Sequence, residues 1–463
     1  MPTEAAKHEV IDALRASLRG DVIDRDHPEY HQARSVWNGL IDRYPMVIAR
    51  CADTGDVVEA VSIARKYRPL VSIRGGGHQV AGSAVSDDGL VIDLSAMRGV
   101  DVDPGSRTAR VAGGATWGDV DRATQRFGLA TTGGEVSTTG VGGFTLGGGM
   151  GVLMRAHGLA CDNLRSIEVV TADGEVRIAN PHEHADLFWA ARGGGRGLGV
   201  VTSFAFDLHP LGPDVAMATV FYPYGDAERV VRAWRDYAPT APETVSPQLV
   251  LWSVPPDPAI PEALHGVKTV ICAGLYAGPA DEAADTLAPM RSFGEPLLDA
   301  SGTVPYTDMQ SSLDALLPPG GRYFMKSHGA NELSDDAIAT LLDWDARRPT
   351  PETLTAIRCL GGAIARVDAG ETAYPHRSDQ FNVSVDACWT RPADDAAVIR
   401  WARGVWDALT PYASGGVYVN FSGLEDEGDA SRDRVYLGSR QRLAEVRGVY
   451  DPEGLFAPAS QRP

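Results

Sequence analysis

Apolar and polar positions recur at two different periods along this chain, and the dominant period changes near residue 213. Over residues 4–19 apolar positions fall at helical spacing and stop at Gly20, which predicts an amphipathic helix. Residues 46–51 (MVIARC) and 70–74 have strand character. Between them Val57, Val58, Val61 and Ala64 sit at helical spacing over 56–67. Strand, helix and strand predict a small α/β unit. Strands are expected at 90–94 and 108–111, with a turn at Asp103-Pro104-Gly105 between them. A helix over 116–127 should stop at Gly128. Residues 165–178 read as a hairpin with Ala172-Asp173-Gly174 at its tip. A short helix at 186–191 and a strand at 199–208 complete this half. Beyond Pro210 to Pro213 the pattern predicts helices at 226–238, 280–291 and 335–346. Strand candidates lie at 216–222, 246–253, 267–275, 355–366, 381–389 and 415–422, and a helix at 438–449. Long strands with helices on one side imply a mostly antiparallel sheet covered by helices. The fold class is α+β.

Two glycine-rich stretches interrupt these patterns. Residues 71–83 read VSIRGGGHQVAGS. Gly75, Gly76 and Gly77 follow a short strand, where successive N–H groups can form an anion-binding nest with Arg74 at its edge. Alone, this is an ordinary glycine-rich turn. Residues 133–163 read GGEVSTTGVGGFTLGGGMGVLMRAHGLACDN and hold ten glycines, too many for a helix or strand interior. Together the two stretches suggest one long ligand with a pyrophosphate and a planar ring.

Composition narrows the class. The 463 residues carry a net charge of -19, which would repel a nucleic-acid backbone or an anionic membrane. Hydrophobic residues make up 44% and charged ones 22%, as in ordinary globular proteins. Five scattered cysteines do not make a disulfide framework. The start of the chain lacks the apolar stretch of a signal peptide, and no run approaches a membrane span. A cytoplasmic protein, monomer or homodimer, is expected. No metal set is visible: His182 and His184 lack a third ligand at suitable spacing.

The run RGGGHxxxGS, followed by STTGVGGxxxGGGxGxLxRxxGLxxDN, resembles the flavin-binding domain of the vanillyl-alcohol oxidase and p-cresol methylhydroxylase superfamily. Within it, the chain is similar to the berberine-bridge-enzyme-like and 6-hydroxynicotine-oxidase-like bacterial branch. The match continues at DLFWAARGGGRGLGVV (186–201), GGAIARVDAGETAYPHR (361–377) and YDPEGLF (450–456). The resemblance implies a two-part FAD-binding domain over 1–212, a substrate domain over 213–430 and a segment at 431–463 that returns to the first. It implies FAD bonded through its 8α carbon to His78 alone, since Val136 stands where some relatives carry a second, cysteine link. Arg74, Gly75, Gly76, Gly77, Gln79, Gly82 and Ser83 would contact the phosphates and ribityl chain. Ser137, Thr138, Thr139, Gly142 and Gly143 would form the opposing wall, and the backbone near Val200 and Val201 would hold the adenosine end.

A flavin oxidase needs a hydride to leave a carbon while a base takes a proton from O–H or N–H. In GGVYVNFSG, strand alternation would put Tyr418 and Asn420 on one face. The resemblance places this tyrosine near flavin and substrate. A tyrosine titrates at about 10, so a base role calls for a cationic neighbour, with Lys326, Arg322 and Arg377 as candidates. A tyrosine hydrogen-bonded for packing is the other reading. Asn382, Ser384 and Asp386 share one face of FNVSVDACW, lining a substrate pocket or else facing solvent. Tyr374, His376 and Arg377 match a family motif that is more architectural than catalytic. Ser439 and Arg440 stand where relatives carry an asparagine-tyrosine pair that helps hold the flavin. The expected activity is oxidation of a C–O or C–N bond in a small, secondary-metabolite-like molecule, with dioxygen reduced to hydrogen peroxide. The rivals are a flavin oxygenase or oxidative cyclase, a dehydrogenase that avoids dioxygen, and a flavoprotein that sequesters a toxic metabolite.

Overall fold

The computed structural model describes residues 4–195, 197–422 and 429–457, without the side chains of 429–432. The ends of the expected domain division, 1–3, 423–428 and 458–463, lie outside the described residues. Three sheets organise the chain. The first runs Asp21–Asp24, Val47–Arg50, Leu90–Asp93, Val71–Arg74, and its last three strands are parallel. The helix Thr54–Tyr67 covers it because Val57, Ala60, Val61 and Ala64 form one buried stripe. Asp53 caps that helix by accepting from the Gly55 and Asp56 N–H groups, and Arg68 ends it in the left-handed region.

The second sheet is antiparallel, in the order Val100–Asp103, Thr108–Ala112, Val200–Asp207, Leu164–Val170, Val176–Ala179. Its hairpin turns at Gly174, whose φ is 86°, as the sequence implied. The strand Val100–Asp103 escapes the sequence reading.

The third sheet has eight antiparallel strands. Its main path runs Leu298–Asp299, Asp214–Pro223, Lys268–Tyr276, Val245–Ser253, Leu354–Cys359, Phe381–Trp389, Arg322–Ala330. The helices Ala227–Tyr237, Asp335–Ala346 and Asp395–Leu409 bury Val230, Trp234, Ile338, Leu341, Val398 and Val405 against one face. The expected helix at 280–291 is broken by Pro289 into 3-10 turns around Ala283–Leu287.

Strand alternation sends Tyr323, Met325 and Ser327 to the opposite face, toward the first two sheets. Tyr323 stacks on Trp37 at 3.7 Å and 11°. Beside it Asn38 donates to the carbonyls of Val80 and Tyr323 and accepts from the Tyr323 N–H. After the third sheet the chain turns back, and Val417 and Val419 pack in the core of the second sheet. No helix among the described residues is long and apolar enough to cross a membrane.

Candidate functional site

The two glycine-rich stretches meet. A Cβ on Gly76 would lie 2.3 Å from the Gly140 nitrogen, and one on Gly140 would lie 2.2 Å from the Gly76 nitrogen, so only bare backbone allows the contact. The second loop is anchored by Trp117 N–H to the Thr139 carbonyl and Gly118 N–H to the Ser137 carbonyl. Ser137 also donates from its N–H to Asp314 at 2.8 Å. In the first loop, the N–H groups of Gly76, Gly77, His78, Gln79 and Val80 find no acceptor among the described residues. Five such donors in sequence make a cradle for an anion.

His78 lies where the loops join. Its Nε2 is 2.9 Å from Thr138 Oγ1, its Nδ1 3.4 Å from Thr139 Oγ1, and its ring stacks on Trp37 at 5.0 Å. Desolvation pushes the imidazole down to about 4, so it is uncharged at neutral pH and keeps a nucleophilic lone pair.

The other residues expected at the cofactor make contacts of their own within the protein. Arg74 spends its guanidinium on the carbonyls of Ala33 and Ser35, so its charge is committed to the segment before Trp37. Gln79 donates to the Ser422 carbonyl and accepts from Ala81 N–H. Gly82, at φ 71°, packs on Ile41 and gives its carbonyl to Arg43, so its glycine serves the turn. Ser83 follows it. Val200 and Val201 are buried, and their backbones pair with Val170 and Val169. A Cβ on Gly142 would lie 3.4 Å from the Gly113 carbonyl oxygen and 3.5 Å from the Phe204 ring, while one on Gly143 would meet nothing within 4 Å. The Gly113 carbonyl lies against Gly75 as well, so all three turns converge there. The signal for Gly113, the pair in AGGATWGD, was plain in the sequence but unread.

Tyr418 and Asn420 come together, but on no strand: Val419–Phe421 is a 3-10 turn. The Tyr418 hydroxyl accepts from Gly149 N–H at 3.1 Å, Met150 N–H at 3.0 Å and Asn420 Nδ2 at 2.8 Å. Burial pushes this phenol up to about 12, and the three donors oppose that shift. Asn420 also donates to the Phe144 carbonyl, and a Cβ on Gly147 would collide with it. None of the three cations expected beside Tyr418 serves it. Lys326 points to the helix-covered face, with Nζ over Trp406 at 4.6 Å. Arg322 pairs with Asp395. Arg377 makes a bidentate bridge to Asp162, both bonds at 2.7 Å. With Arg377 over its ring, Tyr374 lies edge-on to Tyr418 at 6.5 Å, its hydroxyl buried without a hydrogen-bond partner among the described residues. His376 bonds the Val435 carbonyl. Ser439 is buried at the start of the helix Arg440–Tyr450.

The inner face of the third sheet faces these loops. Asn382, Ser384 and Asp386 are buried on it, which removes the solvent-facing reading. Arg358, unremarked in the sequence, donates to Ser384 Oγ at 2.9 Å, and Ser384 donates to Asp386 Oδ2 at 3.0 Å. Gln248 donates to Glu135, three residues before Thr138, at 2.6 Å. Arg358 also lies over Phe421 at 5.0 Å, and Phe421 is edge-on to Tyr418 at 5.0 Å. This polar group therefore lies between the sheet, the second glycine-rich loop and the segment of Tyr418 and Phe421. Burial raises the Asp386 carboxyl; Arg358 opposes that and Glu135 reinforces it.

A family model described as FAD binding domain matches residues 45–180. The chain is 31% identical over 453 residues to the uncharacterised FAD-linked oxidoreductase YgaK of Bacillus subtilis (strain 168), covering 96% of both. It is 37% identical over 199 residues to (R)-6-hydroxynicotine oxidase of Paenarthrobacter nicotinovorans, 43% of each chain. Among solved structures, 6-hydroxy-D-nicotine oxidase from Arthrobacter nicotinovorans aligns with a TM-score of 0.82 and 26% identity, over 95% of this chain and 97% of that one. A BBE-like protein of Physcomitrella patens shares the fold, with a TM-score of 0.86 at 21% identity over 96% of this chain and 97% of its own.

Proposed function

We propose, on the premise that this chain belongs to the FAD-linked oxidoreductases of the berberine-bridge-enzyme-like and 6-hydroxynicotine-oxidase-like family, that it is an oxidase of C–O or C–N bonds in small organic molecules. FAD supplies the two-electron acceptor for the hydride, and dioxygen restores it with release of hydrogen peroxide. The uncharged imidazole of His78 would hold the cofactor through the single covalent link; Val136 offers no second one. The donors of residues 76–80 would hold the pyrophosphate, and Ser137, Thr138, Thr139, Gly142 and Gly143, joined by Gly113, would form the wall around the cofactor. Residues 1–212 with the returning C-terminal segment form the cofactor part, and 213–430 the substrate part.

Tyr418 takes the proton from the substrate O–H or N–H. Three N–H donors on one oxygen pull against the upward push of burial, which still leaves the resting phenol protonated near 12, so the base role calls for a further fall once the site is filled. Asn420 orients that oxygen, Asp386 lines the substrate side, and Tyr374 packs behind Tyr418. The observation that carries this reading is the backbone contact of Gly76 with Gly140 beside a neutral His78. After denaturation the yellow chromophore should stay with the polypeptide, and His78→Ala should release it. A wild-type polypeptide that loses its colour on denaturation overturns the covalent link. Peroxide formation at one equivalent per substrate oxidised, followed with a substrate that bleaches the flavin anaerobically, tests the oxidase assignment.

A further inference from the structure

The segment between the short helix Tyr306–Gln310 and the strand Arg322–Ala330 lies within the proposed substrate part, yet its bonds run to the cofactor loops. Gln310 donates from Nε2 to the Gly134 carbonyl at 3.4 Å. The Leu317 carbonyl accepts from Trp37 Nε1 at 3.0 Å. Gly320 N–H donates to the Trp37 carbonyl at 2.9 Å, and the Gly321 carbonyl accepts from Gly39 N–H at 2.7 Å. Residues 310–321 thus form a strap. One end is fixed to the second glycine-rich loop and the other to the tryptophan that stacks on His78.

Asp314 lies in the middle of this strap and bonds Ser137 twice, across 177 residues of chain. Its Oδ1 accepts from the Ser137 N–H at 2.8 Å and its Oδ2 from the Ser137 Oγ–H at 2.5 Å. Two bonds to one carboxylate fix the backbone and the side chain of that serine together. The Ser137 carbonyl is taken as well, by Gly118 N–H at 2.8 Å. Next along the chain come Thr138 and Thr139, whose hydroxyls meet the two ring nitrogens of His78. Asp314 therefore reaches the imidazole through this loop. Burial lowers the His78 imidazole, and the Asp314 charge opposes that shift, as a carboxylate near the ring must. A ring nitrogen bonds to a carbon only when its lone pair is aimed at that carbon, so whatever fixes the ring governs the bond.

We propose that Asp314 is the positioning residue for attachment of the cofactor: it pins Ser137, so that Thr138 and Thr139 hold the His78 ring in the orientation from which the link forms. The proposal deepens the reading of His78 and rests on it. Attachment breaks one C–H bond at the 8α carbon and the imidazole N–H, and makes one C–N bond. The two hydrogens and their electrons leave through the flavin to dioxygen, as hydrogen peroxide. Asp314 takes no part in that exchange and only sets the aim of the ring. The backbone donors of residues 76–80 would hold the cofactor whether or not the bond has formed. Holding and tethering are therefore separable, and Asp314 serves the second.

The test measures both on the purified holoprotein: total flavin from visible absorbance per polypeptide, and tethered flavin from the colour that stays with the polypeptide after acid precipitation. Asp314→Ala should keep about half or more of the wild-type total while its tethered share falls about fivefold or more. Asp314→Asn still offers an oxygen to the Ser137 N–H and an amide hydrogen to its Oγ, so its tethered share should stay within about twofold of wild type. Ser137→Ala removes only the Oγ bond and should fall between the two. It stands in where the melting curve shows that Asp314→Ala does not fold, and a tethered share equal to wild type there overturns the proposal. So does an Asp314→Ala protein tethered like wild type, one whose total flavin falls as far as its tethered share, or an Asp314→Asn protein as defective as Asp314→Ala. A wild type with no tethered flavin overturns the covalent reading of His78 and this proposal with it. The other adverse results overturn the proposal and leave that reading standing, so the two failures are told apart.

Discussion

At the scale of single residues, the Tyr418 oxygen is the most constrained polar atom of the site. Tyr418→Phe would leave the N–H groups of Gly149 and Met150 buried without an acceptor. At about 1–3 kcal/mol for each buried group left unpaired, urea denaturation should show a loss of about 2 kcal/mol or more. The same substitution should abolish substrate-driven bleaching while photoreduction of the flavin persists. Titration has a sign as well. The folded phenol sits near 12 and the unfolded one at about 10, so the native state holds the extra proton. Stability is full below pH 10 and falls as pH rises toward 12. The pairing of Tyr418 with Asn420 was legible in the sequence because a single residue, Val419, separates them. Arg358, Gln248 and Glu135 were not, because strand register alone brings Arg358 to Ser384, 26 residues on, and only the packing of the glycine-rich loop on the sheet brings Glu135 to Gln248, 113 residues on.

At the scale of elements, the glycine loops and the third sheet carry different burdens. Gly140→Ala would drive a methyl group into the Gly76 backbone, which cannot yield as a side-chain tip could. Flavin content per polypeptide should fall several-fold while far-ultraviolet circular dichroism stays near wild type. Phe324→Ala, in the core between sheet and helices, should instead cost about 3–5 kcal/mol by urea denaturation. Strands such as Phe381–Trp389 were readable from alternation, because one face meets helices and the other the site. Residues 415–422 alternate too, yet they form a loop and a 3-10 turn: the strand Arg322–Ala330 meets them at isolated points, Gly329 N–H donating to the Gly416 carbonyl and Tyr418 N–H to Ser327 Oγ, while Gly149 and Met150 donate to the Tyr418 hydroxyl. The helix Asp395–Leu409 went unread although Val398, Trp401, Ala402 and Val405 have helical spacing; what the spacing could not tell was which sheet they would cover.

At the scale of the whole molecule, several histidines share one behaviour. Burial holds His78, His157 and His376 near 4, against about 6.5 when exposed. The unfolded chain therefore binds more protons between those values, so stability present above pH 6.5 is lost as pH falls toward 4. Melting temperature recorded across that range should drop, and restoring neutral pH before aggregation should restore it. Trp37 and Asn38 give the assembly an order in time. They grip the loop of His78 on one side and Tyr323 on the other, across 285 residues of chain between Asn38 and Tyr323. A nascent polypeptide that has not yet made Tyr323 has only half of this clasp, so the attachment proposed at His78 would belong to the end of biogenesis, after the last sheet has closed over the first.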